Sequence, residues 1–303
     1  MKNVLVIGGT GFLGSAVVRE LARRPASADF RFTLPTRRRD KAKHLLVLPT
    51  AKVIDADVHD PATLARLMAE QDAVINMVGI LKGGEGEPYG AGFARAHVEL
   101  PQKIAAAAKA AGVRRVLHVS ALKAAADAPS GYLRSKAAGE AVLQNARLDL
   151  TLFRPSVIFG RGDSFLTLFA RMAKIAPFFP LAGADARFQP VWVEDVAATM
   201  ADSLERSESI GAAYDLCGPK QYSLRELVSY AAAVSGHPRA IIGLPHAVAW
   251  LQAWAMEFIP NGPMTRDNVR SMRVASVCDS GCALPFGRVA TALEIVGPAY
   301  LRG

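Results

Sequence analysis

Two short stretches of this 303-residue chain carry residue types that hold a nucleotide. The first is VLVIGGTGFLGSAVV, residues 4–18, where two glycine patterns overlap. Gly9, Gly11 and Gly14 spell G-x-G-x-x-G, while Gly8, Gly11 and Gly14 spell G-x-x-G-x-x-G. The glycines follow an apolar strand-like run and open a helical one, the context in which such a loop cradles a dinucleotide. Gly8 and Gly9 allow the tight turn. Gly11 lets the backbone approach the pyrophosphate, and Gly14 lets the helix pack close to the strand. Helix N–H groups then face the phosphates, so Gly8, Thr10, Gly11, Phe12, Leu13 and Gly14 form the expected phosphate-binding set. On this reading Gly11→Ala costs nucleotide and stability together. The second stretch is LPTRRRDK, residues 34–41. An NAD site needs a carboxylate at the end of the second strand for the ribose 2′-hydroxyl. Here Arg37 and Arg38 stand instead, and a guanidinium matches a 2′-phosphate with parallel hydrogen bonds. The pattern favours NADP(H) over NAD(H).

A third pattern carries protons. Tyr132 and Lys136 in SGYLRSKAAGE put a phenol and an ammonium one helical turn apart on one face. The bare Y-x-x-x-K spacing arises by chance. Its position gives it weight, because it opens a helix just downstream of Ser120.

The elements that must position these groups follow from the periodicity. Strands are expected at 3–7, 30–35, 52–56, 72–79, 115–120 and 149–155, with helices at 11–24, 61–69, 91–111 and 132–146 between them. This alternation means an α/β fold, a doubly wound parallel sheet. Asp57 and Val58 then flank the adenine. Met77, Val78 and Gly79, with Pro155 and Val157, complete the expected cofactor set. Beyond Pro155 the loops lengthen and prolines cluster. A strand is expected at 212–218, a capping box at Ser223 and Glu226 opens a helix, and a strand at 240–245 leads to a helix at 246–259. The expected division is a Rossmann domain over 1–160, with 186–216 returning to it, and a smaller interleaved C-terminal domain from 161–185 and 217–303. KGGEGEPYG, residues 82–90, is expected to be a flexible loop where a ligand sits.

Together, Gly8-x-x-Gly11-x-x-Gly14, Ser120 and Tyr132-x-x-x-Lys136 resemble the short-chain dehydrogenase/reductase superfamily, in its extended, atypical branch. In that superfamily the Tyr exchanges the substrate proton, the Lys lowers the phenol's pKa and holds the nicotinamide ribose, and the Ser steadies the substrate oxygen. FRPSVIFG (153–160) and FQPVWVEDVA (188–197) resemble the branch's later signatures. More narrowly, AVINMVGIL, HVSAL, RPSVIFGRGDSF, MTRDNVR and TALEIVGPAYL resemble the thirty-nine-kilodalton subunit family of respiratory complex I. This resemblance implies an accessory protein that holds NADP(H) structurally or as a redox sensor, with a respiratory complex or membrane surface as partner. The alternative is an active NADPH-dependent oxidoreductase or an epimerase/dehydratase. Its carbonyl or quinone-like substrate would lie between residues 78–90 and the C-terminal domain. Where many extended members carry a helical Asn, this chain has His97.

Bulk composition excludes less. Hydrophobic residues at 51% mark a globular chain, and the net charge of +9 suits an acidic partner or anionic surface. No nucleic-acid-binding motif accompanies that charge. Three cysteines, Cys217, Cys278 and Cys282, read as free thiols in a reducing compartment. The six histidines lack metal-ligand spacing, and no metal is expected. No secretory signal or transmembrane run is evident, so the expected location is cytoplasmic, with a peripheral place at the inner membrane face as an option. Trp250, Trp254 and Phe258 fall at i, i+4, i+8. They are expected to form core of the smaller domain, with a membrane- or partner-docking face as the other reading.

Overall fold

The computed structural model describes residues 2–24, 30–259, 262–279 and 283–302. Alternating apolar residues build the first half. In β1 (Lys2–Ile7), Val4 and Val6 point to one side and Leu5 and Ile7 to the other, all buried. The period of two is what a strand covered on both faces requires. The chain continues through α1 (Phe12–Arg23), β2 (Phe30–Thr36), β3 (Ala51–Asp55), α2 (Pro61–Met68) and β4 (Ala73–Asn76). A longer helical stretch follows as α3 (Ala91–Phe93), a π-helical turn at Ala94–Glu99, and α4 (Leu100–Ala111). Then come β5 (Arg115–Val119), α5 (Gly131–Asn145) and β6 (Asp149–Pro155). Among the described residues, one sheet holds seven parallel strands, completed by β11 (Ala213–Leu216) in the order β11-β6-β5-β4-β1-β2-β3. The fold class is therefore the expected doubly wound α/β sheet, and its order reverses between β1 and β4, where ligands bind in such sheets.

The later elements are short: β7 (Ile158–Phe159), α6 (Leu166–Ala173), β8 (Phe178–Leu181), β9 (Arg187–Phe188), β10 (Val191–Trp192) and α7 (Val193–Glu205). The last group is β11 (Ala213–Leu216), β12 (Tyr222–Ser223), α8 (Leu224–Val234), β13 (Ala240–Gly243), α9 (His246–Glu257), α10 (Arg266–Ser271), α11 (Leu293–Val296) and α12 (Pro298–Leu301). Helices α1 and α7 share a core with one face of the sheet, and α2 and α4 with the other. Each large aliphatic side chain buried there contributes about 1.5–3 kcal/mol. Separate clusters around Phe159, Leu166 and Leu227, and around Phe179, Leu181 and Val228, hold α6, α8 and β8 together. The capping box at Ser223 and Glu226 is formed in both directions.

Three expectations change. Strand β4 stops at Asn76 because the Asn76 side chain turns back, its Oδ1 accepting from Val78 N at 3.2 Å. Cys217 and Cys278 are not free thiols but a disulfide, their Cα atoms 6.4 Å apart across 61 residues of sequence. Gln189 aligns the two segments, its Oε1 accepting from Cys278 N and its Nε2 donating to Gly218 O. The odd cysteine count therefore loses its argument for a reducing compartment; Cys282 lies outside the described residues. Finally, α9 is not core. It buries only Ala249 and Ala253, while Trp254 and Phe258 meet edge-to-face, 45% and 72% exposed. Trp250 lies half-buried beneath the guanidinium groups of Arg266 and Arg270.

Candidate cofactor and active site

The glycine loop is built by close backbone approach. Gly8 sits at φ +84°, and a Cβ there would also press on Met77 C and Val78 N at 3.1 and 3.2 Å. Gly14 is tighter still, because a Cβ would stand 2.1 Å from Gly8 O and 2.6 Å from Gly9 Cα. Gly11 caps α1 without a side chain, and no acidic residue occupies the first turn. Phe12, Leu13 and Gly14 thus open a helix whose N-terminal N–H groups suit an anion.

The basic stretch meets this loop. Thr10 Oγ1 donates to Thr36 Oγ1 at 3.3 Å, and Thr36 Oγ1 also accepts from Arg38 N. Arg37 and Arg38 are exposed at the end of β2. Asp57 follows β3, accepting from His59 N and lying 4.0 Å from Arg95. Burial and then the charge of Arg95 lower the His59 pKa against the pull of Asp57, with Lys103 and Arg37 adding to the lowering. Val58 packs against the core beside Ile54. Sequence reading missed His44, whose Nε2 bonds Ser15 Oγ of α1 at 3.0 Å. The 3-10 turn Arg39–Leu45 brings it there, and nothing in the spacing signals that.

The Tyr–Lys pair lies beyond residues 77–79. Met77, Val78 and Gly79 run between the glycine loop and Lys136, whose Nζ donates to Val119 O at 3.1 Å and Val78 O at 3.4 Å. Ser120 N bonds Phe153 O and Leu122 N bonds Pro155 O, so Ser120 and Pro155 share the C-terminal edge. Val157 O accepts from Val191 N just beyond. Ser120 Oγ is buried without a hydrogen-bond partner. Burial pushes the Tyr132 phenol up to about 12. Lys136 is itself desolvated, which brings it down to about 8 against the pull of Glu140. The structure thus brings Ser120, Lys136 and residues 77–79 together, with Tyr132 on the same helix.

His97 fixes this end. Its Nε2 accepts from Ile80 N at 3.1 Å. Ser135 Oγ donates to Tyr132 O, so it accepts from His97 Nδ1 at 2.9 Å. That arrangement requires neutral imidazole protonated at Nδ1. The ring lies T-shaped to Tyr132 at 5.6 Å and stacks on Phe93. Burial, then Lys136, hold His97 down at about 2; burial, then Lys136, hold the nearby His118 at about 3. Both lie below the ordinary 6.5, so the unfolded chain takes up protons that the folded one refuses. Their stabilisation is complete above pH 6.5 and drains as pH falls below it toward 3. Urea midpoints at pH 7.5 and pH 5 check this; equal midpoints would refute it.

The C-terminal part closes the site. Asp267, itself buried, accepts from Gly131 N at 2.7 Å and Tyr132 N at 3.0 Å, capping α5 from α10. A cavity of about 470 Å³ lies between residues 82–85, Phe93, the end of α9 and residues 264–267. The glycine-rich loop beside it is tied rather than loose. Gly92 N bonds Gly83 O, Lys82 Nζ bonds Gly262 O, and Arg270 pairs with Glu85.

A family model described as NAD(P)H-binding matches residues 8–207. The chain belongs to the NAD(P)H-binding family. Within that family it is 31% identical over 284 residues to mitochondrial NADH dehydrogenase (ubiquinone) 1 alpha subcomplex subunit 9 of Rattus norvegicus, covering 90% of this chain and 72% of that one. The Arabidopsis thaliana counterpart is 32% identical over 84% of this chain. The match spans 63% of that relative, less than two thirds of its length. Ceramide reductase of Caulobacter vibrioides is 31% identical over 83% of this chain and 78% of its own. Among solved structures, the NADPH-dependent quinone oxidoreductase QOR2 of Escherichia coli, complexed with NADPH, superposes with TM-score 0.76 at 21% identity. It covers 98% of this chain and 99% of its own, and shows the same fold.

Proposed function

We propose that this NAD(P)H-binding chain retains NADP(H) as a mainly structural or redox-sensing nucleotide, as an accessory component peripheral to a respiratory assembly. The observation that carries the reading is the similarity to complex I subunits, about 30% identical over most of the chain, which also supports the choice of partner. Lys136 Nζ donates to Val119 O and Val78 O beside the glycine loop, which sets its charge where a nucleotide would be held. Arg37 and Arg38 at the end of β2 support NADP(H) over NAD(H), and the cofactor set keeps the roles assigned from sequence. The division into 1–160 with 186–216, against 161–185 with 217–303, belongs to the same reading.

One feature supports a second reading, an active reductase. The cavity of about 470 Å³ meets Phe93, which touches Tyr132, and Ser120 Oγ stands buried with nothing to bond. Bound NADPH would supply hydride to a carbonyl carbon. Tyr132 would give its proton to the oxygen, with Ser120 orienting that oxygen. The ceramide reductase relative supports a carbonyl-class substrate.

Denaturing the untreated, purified protein and counting released nucleotide tests the proposal. Near-stoichiometric NADPH that added carbonyls and quinones fail to oxidise is the expected result, with Tyr132→Phe retaining the same amount. An empty, exchanging pocket, together with NADPH consumption abolished in Tyr132→Phe, would establish the reductase reading instead.

A further inference from the structure

We infer that the apolar face formed by α9 and the outer side of the β8–β13 ribbon seats on an anionic lipid bilayer. This deepens the peripheral placement proposed above by naming the surface and its partner. Helix α9 touches the protein through Ala249 and Ala253, one turn apart. It therefore turns larger residues outward: Leu251, Trp254 and Phe258 are 60%, 45% and 72% exposed. The ribbon continues the face. Strands β8 and β13 pair in parallel with Ala240 opposite Phe178 and Ile242 opposite Pro180. Phe179 and Leu181 point inward, so Phe178 and Ile242 point outward, 48% and 52% exposed. Gln252 Nε2 donates to Pro180 O, which lays α9 beside this ribbon. Large apolar side chains exposed on two adjoining elements mark an interaction site.

Charge selects the occupant. Residues 164–184 and 238–259, which build the face and lead into it, contain Arg171, Lys174 and Arg239 and one carboxylate, Glu257, which is paired with Arg266. An apolar helical face with a basic surround is the composition of a helix lying in an anionic membrane interface. A second copy docking isologously would bring the same basic surround against itself. Phe258 and Ile259 belong to the exposed face and also line the cavity beside Phe93. The cavity rim therefore borders the docked surface.

Flotation of the whole protein with vesicles of phosphatidylcholine, with and without phosphatidylglycerol, tests this. The expected result is binding to the anionic vesicles that weakens with added salt. It falls at least about tenfold in a Trp254→Glu, Phe258→Glu variant. A Val289→Glu control, exposed beside Arg288 and remote from the face, binds as the unaltered chain does. Thermal midpoint and nucleotide content are read on the same samples, so loss of binding is separated from misfolding and from failure of the nucleotide proposal. No flotation of the unaltered chain, or equal flotation of the double variant, overturns the inference. So does an oligomer that the double variant dissolves while vesicles stay unbound.

Discussion

A Gly14→Ala variant is expected to lose about 3 kcal/mol of stability and most of its nucleotide. The added methyl would stand 2.1 Å from Gly8 O and 2.8 Å from Gly9 C, both backbone atoms that cannot swing aside. Either α1 moves away from β1, opening a core that includes Val4, Val17 and Val18, or the loop leaves its phosphate-binding shape. Gly11→Ala separates the two effects. Its methyl meets only Gly8 O at 3.3 Å, so stability is nearly spared while the space above the helix N-terminus is narrowed. The joint loss expected from sequence for Gly11 thus divides between two glycines. Thermal denaturation and nucleotide released per chain, measured on both variants, check the division. A Gly14→Ala protein as stable as the unaltered chain would show that the loop yields freely.

Replacing Arg37 and Arg38 together by alanine is expected to weaken NADPH binding by about tenfold to a hundredfold. Two charge-assisted hydrogen bonds to a phosphate account for a change of that size. NADH affinity should stay within about twofold, since its ribose carries no phosphate for a guanidinium to meet. Titration of nucleotide-free protein with each dinucleotide reads the ratio. Equal losses for NADH and NADPH would assign the arginines to general surface charge.

What was legible in the chain was whatever repeats locally. Val4 to Ile7 announce a strand covered on both faces, and Ser223 with Glu226 announce a capped helix, because each depends on neighbours a few residues away. The glycine loop was legible for the same reason. Three features were not. The Cys217–Cys278 bond closes 61 residues, a separation that carries no spacing signal. Asp267 caps a helix 136 residues earlier, yet in sequence it is one carboxylate among many. The orientation of α9 was hidden because the helix is apolar almost all round. Periodicity picks out the bulky Trp254 and Phe258, but the contact is made by the small Ala249 and Ala253. In the site, the Y-x-x-x-K spacing located both side chains without telling their protonation, which burial decides.

The Asp267 contact also orders events in time. When the protein is made from its N-terminus, Gly131 and Tyr132 leave the ribosome long before the carboxylate that completes their helix, 136 residues behind. Later ties arrive in turn: Ser156 Oγ to Ser276 O, Asp195 to Thr291, and Asp163 to the Tyr300 hydroxyl. The nascent sheet thus emerges with its Tyr-bearing helix capped by Ser130 alone, Gly131 N and Tyr132 N still waiting for their carboxylate. The cleft takes its final form only as the last quarter of the chain wraps back over what was synthesised first.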